Sequence, residues 1–84
     1  DLEVLYQTVR MIRESKEMSS SLSPIFQKLK QEHPNDWLLS VEIAELLKDR
    51  NEQKLLQEVI AYLESLKQRR PDVAHLITGG MDLI

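Results

Sequence analysis

The chain has no cysteine among its 84 residues. Disulfides and thiolate chemistry are therefore excluded, and the composition is compatible with the cytoplasm. Glycine occurs twice, and both glycines stand near the end, at Gly79 and Gly80. Strands and hairpins draw on glycine and β-branched residues far more than this, so a β-rich fold is disfavoured. A phosphate-cradling loop is excluded as well, because Gly79-Gly80 follows no strand and precedes no helical pattern. Long apolar runs are missing too. No stretch approaches the roughly 20 residues needed to span a bilayer, and no signal-peptide pattern opens the chain. Positive charge is in deficit, with 11 Lys and Arg against 14 Asp and Glu and a net charge of −3. That balance argues against nucleic acid or an anionic membrane as the main partner.

What remains is 42% apolar and 30% charged residues, a globular balance and not a disordered one. The length suits one domain, residues 1–84, and such a chain buries only roughly 60–65% of its unfolded surface. The chain begins at Asp1, without an initiator methionine and already within a helical pattern, so it reads as an excerpt from a longer protein.

The densest apolar run is Asn35 to Asp49, which also holds the only tryptophan. Asn35 is suited to cap a helix there, with Asp36 in the first turn where the helix dipole favours negative charge. Leu39, Ile43, Leu46 and Leu47 share one face, flanked by Trp37 and Ala44, and Glu42, Glu45 and Asp49 fall opposite. Ser40 lies within the apolar stripe, where its hydroxyl can bond back to the carbonyl four residues earlier. Leu38 and Val41 fall outside the stripe. They belong either to a second buried side of a central helix or to a docking face.

The other elements follow from spacing and punctuation. Leu2, Leu5, Val9 and Ile12 mark a helix over 1–14, with Tyr6 widening the stripe and Val4 and Met11 outside it. Residues 15–21 read as a loop around Ser19, Ser20 and Ser21. Ser23 and Pro24 are placed as cap and first residue of a helix to Glu32, directed inward by Ile25, Phe26 and Leu29, with Leu22 folded back over its first turn. Pro34 ends it. Asn51 is placed as the cap of a long helix over 52–69, with a stripe of Leu55, Leu56, Val59, Ile60, Leu63 and Leu66, stopped by Pro71. Val73, Leu76 and Ile77 mark a short helix over 71–78, with Gly79 just past its end. The apolar tail Met81, Leu83 and Ile84 either tucks into a groove or reaches a partner. The fold expected is an all-α antiparallel bundle of four main helices plus a short C-terminal helix.

Nothing in this pattern carries chemistry. His33 and His75 are 42 residues apart, with no ligand at metal-binding spacing beside either. The carboxylates sit on polar helix faces, and the serines have no base at helical spacing. The cations Lys67, Arg69 and Arg70 crowd a helix C-terminus, where the dipole favours them. No catalytic, metal-binding or cofactor-binding residue is assigned. The residues left for an interface are Val4, Met11, Leu38, Val41, Met81, Leu83 and Ile84.

Three segments together resemble one family: LYQTVRMIRES (Leu5 to Ser15), HPNDWLLSVEIAELL (His33 to Leu47) and HLITGGMDLI (His75 to Ile84). They are similar to the C-terminal helical extension of some bacterial aromatic amino acid hydroxylases of the phenylalanine-4-monooxygenase type. The proline, acidic, tryptophan, double-leucine opening of the central helix is its most telling feature, and the closing Leu-Ile, then Met-Asp-Leu-Ile, adds to it. The resemblance implies a parent oxidoreductase that uses molecular oxygen, a tetrahydropterin and a non-haem iron held by two histidines and a carboxylate. His33 and His75 do not match the family's His-x-x-x-His ligands, so no iron or pterin residue carries over. The fragment itself would be a non-catalytic accessory domain. Its partner would be the parent catalytic domain or a second subunit, with stabilisation or assembly of the enzyme as its work. The alternative is a free-standing helical protein–protein interaction module, with a groove lined by Val4, Met11, Leu38 and Val41.

Overall fold

Apolar residues spaced three and four apart set the inward face of each helix. The computed structural model of the protein describes residues 2–15, 22–34, 36–82 and 84. Within them lie α1 (Leu2–Ser15), α2 (Leu22–Glu32), α3 (Trp37–Asp49), α4 (Gln53–Arg69) and α5 (Ala74–Met81). No strand occurs among the described residues, so the fold is the expected small all-α bundle with a short C-terminal helix.

The central helix is α3. It packs most extensively on α4 and also touches α5, α1 and α2. Leu39, Ser40, Val41, Ile43, Ala44, Leu46 and Leu47 are all buried. Burying an aliphatic side chain of this kind stabilises by about 1.5–3 kcal/mol, so α3 anchors the core. Around it lie Leu5, Val9 and Ile12 of α1, Leu22, Ile25, Phe26 and Leu29 of α2, Leu56, Val59, Leu63 and Leu66 of α4, and Ile77 of α5. Ser40 donates from its hydroxyl to the Asp36 carbonyl at 3.3 Å, which satisfies its buried oxygen as the sequence suggests.

Polar contacts fix how the helices are arranged. The Tyr62 hydroxyl of α4 donates to the Pro34 carbonyl at 2.6 Å, which pins the connection between α2 and α3. Arg50, just past α3, donates to the Ile12 carbonyl, one of the last four of α1 that lack a partner within their own helix. Tyr6, in the second turn of α1, faces Asp36 and Glu42 at the start of α3. Start therefore meets start and end meets end, so α1 and α3 run parallel.

Several expected boundaries move. The cap of α3 is Asp36, whose carboxylate accepts from the Leu39 backbone N–H at 3.1 Å; Asn35 lies outside the described residues. Asn51 does not cap α4. It has φ of 62° and closes α3 instead: its N–H donates to the Lys48 carbonyl and the Glu52 N–H to the Leu47 carbonyl, at 3.1 and 3.0 Å. That pairing satisfies two of the last α3 carbonyls through a left-handed residue, a role asparagine tolerates. The helix α2 opens at Leu22, so Ser23 and Pro24 lie inside its first turn, where a missing N–H still costs nothing. The expected loop falls largely on residues 16–21, outside the described residues, and Ser15 belongs to α1.

The last helix departs most from expectation. It starts at Ala74 and runs through Gly79 and Gly80 to Met81, with neither glycine in the left-handed region. Gly80 lies against Val41: a Cβ there would sit 3.0 Å from Val41 Cγ2 and 3.3 Å from Cγ1. Glycine here lets α5 approach α3 closely, and it does not serve to end the helix.

Candidate functional site

The surface feature that stands out is an open hollow of about 420 Å³ where the starts of α1 and α3 meet. It is lined by Leu2, His33, Pro34, Asp36, Trp37 and Leu38. Its position follows from the chain: α2 stops at Glu32, the connection turns at Pro34, and α3 begins at Trp37. Trp37 is therefore the first residue of α3, half-buried at the rim and not enclosed as Leu39 and Ile43 are. Leu38 points further out and is 55% exposed. The Nε2 of His33 is buried and has no hydrogen-bond partner among the described residues.

Asp36 puts a carboxylate in the lining of the hollow. Burial first, then the carboxylates of Asp36 and Glu42, push the Tyr6 hydroxyl up to about 12 from 10.0. A second polar cluster lies on α2 and α4. Phe26 and Tyr62 meet edge to face, with ring centroids 5.5 Å apart at 85°. Lys30 lies 4.9 Å from the Phe26 centroid and Arg69 5.9 Å from that of Tyr62. Burial raises the Tyr62 hydroxyl, and Arg69 acts in the opposite sense. The cations at the end of α4 are similarly engaged: Lys67 pairs with Glu64 at 3.7 Å and Arg70 with Asp72 at 3.0 Å. The Arg70 guanidinium holds the Asp72 carboxyl below its ordinary value.

The residues left for an interface do not form one surface. Val41 is 7% exposed and covered by α5, because α3 has neighbours on more sides than its main stripe implies. It leaves the expected groove. Val4 and Met11 are 55% and 67% exposed. At about 100° per residue they lie roughly 180–200° around α1 from Leu2, which lines the hollow, so they face away from Leu38. Met81 and Ile84 are half-buried and pack against the core, while Leu83 lies outside the described residues.

Spacing did not reveal the Tyr62 contacts or the seat of Gly80. Tyr62 stands at the edge of the α4 stripe, seven residues after Leu55, and that position was the available signal. No group of three or more His, Asp or Glu placed to hold a metal ion occurs among the described residues, and none of the helices there is long and apolar enough to cross a membrane.

Fold and surface thus define a small all-α bundle with a largely apolar hollow at a helix start. No family model, curated protein or solved structure matches the chain.

Proposed function

We propose that this is a non-catalytic helical docking domain, working in the cytoplasm. The parent indicated by the sequence resemblance is a pterin-dependent, non-haem iron aromatic amino acid hydroxylase. The domain would be its C-terminal accessory part, stabilising the catalytic domain or assembling subunits. Iron and tetrahydropterin belong, in this reading, to the catalytic part. The observation that carries the docking reading is Leu38, 55% exposed at the hollow beside Trp37, on a helix whose other aliphatic side chains are buried. An aliphatic side chain from a partner would gain burial there at about 25 cal/mol per Å² of apolar surface. Pro34, Asp36, Trp37 and Leu38, which line the hollow, are also residues that carry the most telling part of the resemblance.

The test compares the intact protein with a version lacking these 84 residues. With ferrous iron and a tetrahydropterin, both forms are expected to hydroxylate phenylalanine, and the shortened form to differ in assembly or to unfold at lower temperature. An intact protein without aromatic hydroxylation would overturn the hydroxylase parent. A second reading, a free-standing interaction module, is favoured by the closure of the core: all five helices contribute buried residues to one cluster. The same hollow would then receive a different protein, with no hydroxylation accompanying it.

A further inference from the structure

Leu38, Glu42, Glu45 and Asp49 follow one another along α3 at intervals of four, three and four residues. On an α-helix that spacing makes a single line, the spacing of the seam between two packed helices. The line is open: Leu38 and Asp49 are exposed, and Glu42 and Glu45 are half-buried. At about 1.5 Å per residue it runs roughly 16 Å, three turns, away from the hollow. None of the three carboxylates has an ion-pair partner among the described residues. The only cation of α3, Lys48, stands about 90° around the helix from this line.

We propose that the hollow and this line together receive a cationic amphipathic helix carried by a separate folded domain. An aliphatic side chain of that helix would enter the hollow beside Trp37 and Leu38, and its Lys or Arg residues would lie opposite Glu42, Glu45 and Asp49. The proposal rests on the docking reading above and adds the chemistry of the partner. A helix is the occupant because only a helix repeats its contacts at the same interval over three turns. Charge sets its sign. A second copy of this chain, laid along the line, would place carboxylate against carboxylate, and so would an acidic helix.

Two synthetic amphipathic helices with the same leucine face test this, one flanked by lysines and the other by glutamates. Trp37 is the only tryptophan, so its fluorescence reports on the hollow directly. The lysine-flanked helix is expected to bind saturably and shift the emission. Substituting Glu42→Lys and Glu45→Lys together should weaken that binding about tenfold, with the helical circular dichroism unchanged, and added salt should weaken it too. A lysine-flanked helix that leaves the emission unchanged would overturn the proposal. So would equal binding of the two helices, although docking itself would then stand. Docking fails separately, in the assembly of the intact protein carrying a substitution at Leu38.

Discussion

Gly79 and Gly80 are adjacent in one helix and differ in what surrounds them. Nothing lies within 4 Å of a Cβ built at Gly79, whereas one at Gly80 meets both methyls of Val41. Alanine in a helix is favoured over glycine by about 0.8–1 kcal/mol. Gly79→Ala should therefore raise stability by about that amount. Gly80→Ala has the same gain but must displace a buried, β-branched side chain with little rotamer freedom, which costs about 1–3 kcal/mol. Urea unfolding of the two variants should place Gly80→Ala below Gly79→Ala by at least about 1 kcal/mol. Equal gains would show that α5 is not seated on α3. Tyr6 gives a second test at this scale. Its hydroxyl is raised to about 12 from 10.0, so the folded state holds the phenolic proton more tightly than the unfolded chain does. The stabilisation it contributes is complete below pH 10 and is lost as the pH rises through about 12. Ultraviolet titration should show one tyrosine ionising near that value, and at a lower one in Asp36→Asn, which keeps a capping side chain while removing a charge. A titration of both tyrosines at the ordinary value would contradict the burial of Tyr6.

The inward faces of the helices were legible because periodicity reports burial directly. Their ends were less so, and Asn51 shows why. Asparagine is favoured both before a helix and in the left-handed residue after one, and the two roles differ only in backbone conformation. In Arg50-Asn51-Glu52 the two helices follow so closely that either role fits, and the hydrogen bonds to Lys48 and Leu47 decide for the end of α3. Asn51→Ala should cost about 1 kcal/mol, because a β-carbon without a compensating polar group is strained at φ of 62°. Asn51→Gly should be neutral or stabilising. Denaturant midpoints check both, and an alanine variant as stable as the parent would return Asn51 to a capping role for α4. The competition between Asn35 and Asp36 is of the same kind, with two good caps adjacent. The helical run of Gly79 and Gly80 could not be read from composition, since the need for glycine arises from Val41, some 40 residues earlier in the chain.

For the molecule as a whole, the core was largely written in the spacing of its leucines, isoleucines and valines. The candidate site was only half so. Leu38 stands exposed, outside its helix's stripe, as the wheel places it. Val41, equally outside, is buried, because a fifth helix covers that side and no wheel of α3 alone contains α5. Trp37 is half-buried because it opens its helix at the edge of the bundle. The hollow exists only where α1, the turn at Pro34 and α3 converge, a meeting that periodicity within one helix does not describe.

Docking through Leu38 is the claim on which the functional account depends. Sedimentation of the intact protein and of its Leu38→Glu variant measures it most directly, with thermal unfolding of each alongside. Because Leu38 is exposed, the substitution should change stability by no more than about 0.5 kcal/mol. A carboxylate forced against an apolar partner should nevertheless weaken or abolish the assembly. Docking through Leu38 predicts a loss of assembly with unfolding unchanged. Assembly as strong in the variant as in the parent would contradict it and leave the hollow without a role.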